Sequence, residues 1–222
     1  EVTEKALMNM MVKNEAQTGV AIVMEVKTGK IKAIANLGKV GEGKYTEDLN
    51  YAITPTEPGS TFKLVTLLSA LEDGKVNLNS RVNLEGGVWK VSGQTVYDSE
   101  KHGKFDASIL EAFEESSNVG MAKIAMMHYS NNVNEYFKHL TKLRLDSTSG
   151  LDLVGERQPR LVKPGSRLWG PTTLPWMAFG YNIEITPLQT LNLYNTIANN
   201  GIMMRPYLVN SIQEEGRIIK SI

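Results

Sequence analysis

A mixed α/β (α+β) fold, mostly helical with a small antiparallel sheet, is what this sequence predicts, and three observations carry the prediction. Two apolar runs, Gly19-Val20-Ala21-Ile22-Val23-Met24 and Ile31-Lys32-Ala33-Ile34-Ala35, flank the turn Lys27-Thr28-Gly29-Lys30, the pattern of a β-hairpin. Between residues 60 and 143 apolar residues recur at three- and four-residue spacing, which lays them along one side of successive helices. A last helical pattern opens at Thr186-Pro187, where proline's fixed φ suits a first helical turn.

The elements follow in chain order. Residues 3–14 place Ala6, Leu7, Met10 and Met11 at helical spacing, predicting an amphipathic helix. After the hairpin, residues 38–48 hold Gly38, Gly41 and Gly43 among many charges and read as a mobile loop. Pro58-Gly59-Ser60 precedes Phe62, Leu64, Val65, Leu67, Leu68 and Leu71; this predicts a largely buried helix starting near Ser60 and ending before Gly74. Residues 82–96 alternate weakly around Gly86-Gly87 and Gly93, predicting short strands or an extended excursion. Helices are expected at about 108–114, 119–129, 133–143 and 187–199. Residues 155–175, with Pro159, Pro164, Pro171 and Pro175, read as a long irregular connection. Residues 208–212 and 217–222 predict two short strands about Glu215-Gly216. A lone hairpin is marginal in water, so the sheet is expected to be incomplete in this chain. The helices of 60–143, together with 187–199, are expected to form one lobe against it.

Composition removes several classes of function. The 222 residues carry 24 Lys+Arg against 24 Asp+Glu, with 41% hydrophobic and 22% charged residues. That balance is ordinary for a globular domain and lacks the basic footprint of a nucleic-acid binder. No apolar run approaches the roughly 20 residues needed to span a bilayer. The opening Glu1-Val2-Thr3-Glu4 is not a signal peptide, so the chain is expected to be soluble in full or a piece of something larger. The absence of cysteine excludes disulfides, cysteine nucleophiles and thiolate metal sites. His102, His128 and His139 show no ligand spacing, and no cofactor is expected.

Ser60-Thr61-Phe62-Lys63 places a hydroxyl and an amine three residues apart, on one face of a helix. A lysine amine held in an apolar helix surface has its pKa lowered and becomes a base able to activate serine. The spacing alone is unspecific: with 14 Ser and 17 Lys in the chain, chance supplies about one such pair. It equally describes a surface lysine beside an N-cap serine. Ser116-Ser117-Asn118 falls in a polar turn between two helices, where it either projects side chains into a cleft or caps the following helix. Ser130-Asn131-Asn132 has the same form and reads as turn chemistry. Glu111, Glu114 and Glu115 read as a solvated helix face.

Taken together, Glu57-Pro58-Gly59-Ser60-Thr61-Phe62-Lys63 and Ser116-Ser117-Asn118-Val119-Gly120 resemble the class B penicillin-binding proteins, the D,D-transpeptidases that cross-link peptidoglycan. Phe179-Gly180-Tyr181-Asn182-Ile183-Glu184-Ile185-Thr186-Pro187-Leu188-Gln189, and then Ile197-Ala198-Asn199-Asn200-Gly201, extend the likeness along nearly the whole chain. It is closest to the cell-division type. The resemblance implies the transpeptidase fold shared with serine β-lactamases. It also implies Ser60 as nucleophile on a D-Ala–D-Ala bond, Lys63 as its base, Ser116 as proton relay and Asn118 as a substrate-binding side chain. Stem peptides and β-lactams are the implied ligands. Division proteins including a glycosyltransferase are the implied partners, at the periplasmic face of the inner membrane.

One departure stands out. The family's third motif, Lys-[Ser/Thr]-Gly, lies C-terminal to Ser-x-Asn, whereas the Lys-Thr-Gly of this sequence is Lys27-Thr28-Gly29, inside the hairpin turn. It reads as a turn, not as a substrate-binding strand. The resemblance therefore implies a partial transpeptidase domain, lacking C-terminal strands, an N-terminal pedestal and a membrane anchor. Weak acylation by penicillin is expected, since one missing oxyanion donor costs about 10²–10³ in rate. A serine β-lactamase and a non-catalytic β-lactam sensor or cell-wall scaffold are the competing readings.

Overall fold

The computed structural model describes residues 1–100 and 103–221, so His102 and Ile222 lie outside the described residues. The elements run α1 (Val2–Lys13), β1 (Thr18–Met24), β2 (Ile31–Gly41), β3 (Lys44–Thr46), α2 (Lys63–Glu72), β4 (Arg81–Asn83), β5 (Val88–Val91), β6 (Gln94–Tyr97) and β7 (Asp106–Ser108). They continue with α3 (Ile109–Glu114), α4 (Asn118–Tyr129), α5 (Val133–Lys142), β8 (Arg160–Leu161), α6 (Thr173–Met177), β9 (Ile183–Glu184), α7 (Pro187–Ala198), β10 (Ser211–Glu214) and β11 (Arg217–Ser221). The chain divides into two compact units, one of residues 1–56, 147–159 and 185–222, the other of 57–146 and 160–184.

The first unit is built on a three-stranded antiparallel sheet in the order β1-β2-β3. Strands β1 and β2 pair from Thr18↔Gly38 to Met24↔Ile31, as the alternating runs predict. The loop expected at 38–48 is corrected: β2 continues to Gly41, and β3 folds back with Lys39 opposite Tyr45. The glycine at 38 serves close approach rather than mobility, because a Cβ there would lie 2.6 Å from both carboxylate oxygens of Asp48. Tyr45 anchors β3 by donating its hydroxyl to the Met11 carbonyl at 3.0 Å.

Helix α7 begins as its sequence dictates. Thr186 Oγ1 accepts from the Gln189 N–H at 3.1 Å, Gln189 Oε1 accepts from the Thr186 N–H at 2.8 Å, and Pro187 takes the first helical position. Its place in the fold differs from the expected helical lobe: α7 belongs to the sheet-containing unit. Leu188 is fully buried in a cluster with Ile31, Ile53 and Leu151, so the hairpin supplies the apolar face that covers this helix.

The second unit holds α2 to α6 and three two-stranded ribbons, β4-β7, β5-β6 and β8-β9. Helix α4 buries Val119, Gly120, Met121, Ala122, Ile124, Ala125 and Tyr129, covering it on nearly every side, the signature of a central helix. Val96, Phe179 and the α4 residues Val119 and Ala122 form one cluster. Thr66 of α2 ties the helices together, donating to the Ala178 carbonyl at 2.9 Å and lying 2.7 Å from the Tyr136 hydroxyl.

The connection expected at 155–175 is irregular over 155–159 and 162–172, interrupted by the two-residue β8, and its last residues open α6. Pro175 lies in the first turn of α6, where its missing N–H removes no helical hydrogen bond. The acidic face is also more structured than its composition suggests: Glu111 closes a capping box with Ser108, and Glu115 pairs with Lys104. His139 packs beside two carboxylates, with Nδ1 3.4 Å from Glu72 Oε2. Its Nε2 lies 2.9 Å from Asp73 Oδ2, which also accepts from the Tyr129 hydroxyl at 2.9 Å.

Candidate active site

All four residues singled out by motif fall within the second unit. The helix expected to start near Ser60 starts as a 3₁₀ turn, Gly59–Phe62, and becomes α-helical at Lys63. In a 3₁₀ turn positions i and i+3 eclipse, and Lys63 Nζ donates to Ser60 Oγ at 3.0 Å. The two residues differ in exposure: Ser60 is exposed, whereas Lys63 is only 1% exposed. The hydroxyl thus faces outward over a buried amine.

The remaining donors of that amine go to one residue. Lys63 Nζ donates to Ser116 Oγ at 2.8 Å and to the Ser116 carbonyl. An ammonium has three donors and no acceptor, so its protonated form is fully satisfied by Ser60 and Ser116. Burial lowers the Lys63 pKa from 10.5 to about 8, with the Asp98 charge pulling the other way. An amine so placed is neutral in a workable fraction near neutral pH, and its lone pair then faces the Ser60 hydroxyl.

Ser116 reaches Lys63 through an uncommon backbone. Its φ is 54°, left-handed for a non-glycine residue. The Ser116 N–H bonds the Phe113 carbonyl at 2.9 Å and the Ser117 N–H bonds the Ala112 carbonyl at 2.8 Å. These are the paired bonds of a Schellman end to α3, at the position where glycine is usual. A side chain there costs about 1–2 kcal/mol and carries the hydroxyl presented to Lys63. Ser116→Gly relieves that strain but takes an acceptor from the buried Lys63 ammonium, a loss of similar size. Stability is therefore expected to stay within about 1 kcal/mol of the wild type while any reaction of Ser60 slows; thermal melts beside penicillin-labelling rates check both.

The next two residues serve α4. Ser117, fully buried, is its N-cap, accepting from the Gly120 N–H at 2.8 Å. Ser117 Oγ also donates to Asp98 Oδ2 at 2.8 Å, and Asp98 Oδ1 accepts the Val119 N–H at 2.9 Å. Asn118 donates its side-chain amide to the Tyr97 carbonyl at 2.7 Å and is partly exposed. The turn divides its roles between neighbours: Ser117 caps the helix, as the capping reading expects, while Ser116 faces the lysine. Asp98 and the Tyr97 carbonyl are absent from the sequence-level candidates. They lie at the end of a weakly alternating strand, with no local spacing to mark them.

The Ser60 turn is held from behind by the segment around Gly180, before β9. The Gly59 N–H donates to the Gly180 carbonyl at 3.2 Å, and the Asn182 N–H donates to Glu57 Oε1 at 3.2 Å. Gly180 has φ +95°, and a Cβ on it would sit 2.0 Å from the Gly59 oxygen, so only glycine admits this approach. The Lys27-Thr28-Gly29 turn lies in the first unit, with the Thr28 hydroxyl bonded to Glu25, consistent with its reading as a turn.

A buried lysine bonded to a surface serine on a helix-opening turn, and to a second serine on a facing turn, is an arrangement whose chemistry suits activation of a serine for acyl transfer. The chain belongs to the penicillin binding protein transpeptidase domain family, which it matches over residues 19–221. Within that family its likeness is to the class B type. It is 29% identical over 214 residues to the peptidoglycan D,D-transpeptidase FtsI of Escherichia coli, covering 94% of this chain and 35% of that protein. With the FtsI of Buchnera aphidicola it shares 31% over 207 residues, 90% of this chain and 35% of the relative. Among solved structures, a peptidoglycan synthetase from Bifidobacterium adolescentis matches with a TM-score of 0.84 at 25% identity, covering 100% of this chain and 40% of that one. Penicillin-binding protein 3 from Mycobacterium tuberculosis complexed with aztreonam matches with a TM-score of 0.82 at 25% identity, covering 100% and 50%. The chain thus spans about a third of the length of the curated relatives it matches.

Proposed function

We propose that this chain carries the serine acyl-transfer chemistry of a peptidoglycan D,D-transpeptidase. The observation that carries the reading is the Lys63 amine, buried, lowered in pKa and bonded to both Ser60 and Ser116. Ser60 Oγ attacks the carbonyl of a D-Ala–D-Ala bond as its proton passes to the neutral Lys63 amine. The carbonyl carbon gains the Ser60 oxygen and loses the terminal amine, which leaves with a proton delivered by way of Ser116. An amine from a second stem peptide then displaces Ser60, which recovers its proton. Asn118, partly exposed beside the turn, binds the donor peptide's backbone amide.

β-lactams enter the same reaction, because their strained amide presents a carbonyl to Ser60 and the leaving nitrogen stays tethered. Aztreonam in the solved relative supports this reading by similarity. Cell-wall division proteins, among them a glycosyltransferase, are the partners we propose for the whole protein, at the outer face of the cytoplasmic membrane. Among the described residues no helix is long and apolar enough to cross a membrane.

The test is covalent labelling by a fluorescent penicillin, with the modified peptide located by mass spectrometry. Label on Ser60 that is lost in Ser60→Ala is the expected result. Label elsewhere, or unchanged label in the variant, would refute the assignment. A β-lactamase would instead release hydrolysed penicillin over many turnovers.

A further inference from the structure

We propose that Asp98 is a positioning residue for this site, fixing through Ser117 and Val119 the turn that holds Ser116 against Lys63. The inference rests on the acyl-transfer reading for its catalytic consequence and on geometry for its structural part. Ser116 occupies a left-handed backbone position that a serine adopts only when its surroundings over-determine it. On the α3 side two backbone bonds define the turn. On the α4 side the anchor is Asp98, which takes the Ser117 hydroxyl with one carboxylate oxygen and the Val119 N–H with the other, at 2.8 and 2.9 Å. The backbone at Asp98 extends the clamp: its own N–H bonds the Gly87 carbonyl at 2.9 Å, and the preceding Tyr97 carbonyl receives the Asn118 amide. Asp98 thus ties the end of the β5-β6 ribbon to the start of α4, and Ser116 and Asn118 lie on either side of the tied serine.

The carboxylate also sits where its charge reaches Lys63, favouring the ammonium against the effect of burial. Two consequences separate. Loss of the Ser117 bond loosens the turn, and a displacement near 1 Å at a reacting group costs about 10²-fold. Loss of the charge lets the Lys63 pKa fall further, so the pH at which acylation reaches half its maximal rate moves down.

The experiment measures penicillin acylation of Ser60 against pH in the wild type, Asp98→Asn and Ser117→Ala, with the Lys63 titration followed by NMR of lysine-labelled protein. Asp98→Asn is expected to slow acylation and shift both midpoints to lower pH. Ser117→Ala, which keeps the charge, is expected to slow acylation by about 10²-fold with the midpoint retained. An Asp98→Asn protein with wild-type rate and midpoint would overturn the proposal. Should that variant fail to fold, Ser117→Ala reacting at the wild-type rate overturns it equally. If the wild type itself proves unreactive, the acyl-transfer reading fails separately. The Lys63-to-Ser116 proximity in both variants and the Lys63 titration in Asp98→Asn then decide the positioning role: unchanged values refute it, and proximity lost in both with a midpoint lowered in Asp98→Asn alone supports it.

Discussion

Lys63→Met should give a protein that reacts with penicillin about 10²–10⁴-fold more slowly yet melts at a higher temperature than the wild type at pH 7. The kinetic loss follows from removing the group placed to accept the Ser60 proton, at 3.0 Å from its oxygen. The gain in stability follows from linkage. Burial lowers the amine from 10.5 to about 8, so below pH 8 the folded chain holds a charged group that would sooner be in water. That lowering corresponds to a penalty of about 3 kcal/mol at pH 7. The sign is fixed by proton counting: between about pH 8 and 10.5 the unfolded chain binds more protons at this residue, so wild-type stability rises with pH across that window. Methionine matches the aliphatic stem and carries no charge, so the variant's advantage should be largest near neutrality and shrink as pH approaches 10.5. Denaturant titrations of both proteins at pH 7 and pH 10 measure it. An advantage independent of pH would mean that the lysine is not held in the depressed state the geometry describes.

Gly180→Ala is expected to do the reverse, damaging fold and site together. The added methyl would meet the Gly59 oxygen at 2.0 Å and its nitrogen and carbonyl carbon at 2.6 Å, all backbone atoms. The φ of +95° adds strain of its own. Overpacking and the disfavoured backbone together cost about 2–5 kcal/mol. The relief open to the chain is to push the 57–60 turn outward, which takes Ser60 with it and carries Lys63 out of register with Ser116. Labelling by penicillin should therefore fall by about 10² or more even at temperatures where the variant remains folded. Thermal melts and labelling rates on the same samples decide the point. A variant within 1 kcal/mol of the wild type that labels normally would show that the two segments part at little cost.

The helices were the most legible part of the fold. The apolar periodicity placed the helices at 108–114 and 187–199, and the structure adds the capping boxes of Ser108 with Glu111 and Thr186 with Gln189 at their starts. The hairpin at 18–35 was equally plain, since alternation and a glycine turn are local properties. What was misread involves contacts between distant residues. Residues 38–48 look like a loop until Tyr45 is seen bonded to Met11. Pro175 looks like a breaker until the start of α6 is known. The last helix looks like part of a helical bundle, but Ile31, Ile53 and Leu151 cover its Leu188.

The site divides along the same line. A serine and a lysine three apart at the opening of a helix are brought together by local backbone geometry, so their pairing follows from the chain order alone. Nothing local pairs either with Ser116, 53 residues away from Lys63, nor makes Asp98 the anchor of that turn. Those relations depend on α2, α4 and the β5-β6 ribbon packing around one buried amine. So does the lowered pKa of Lys63, because desolvation belongs to the assembled surroundings and not to the residue. Chain order therefore sets Ser60 and Lys63 side by side, while tertiary packing adds Ser116 to the pair and lowers the pKa of the lysine.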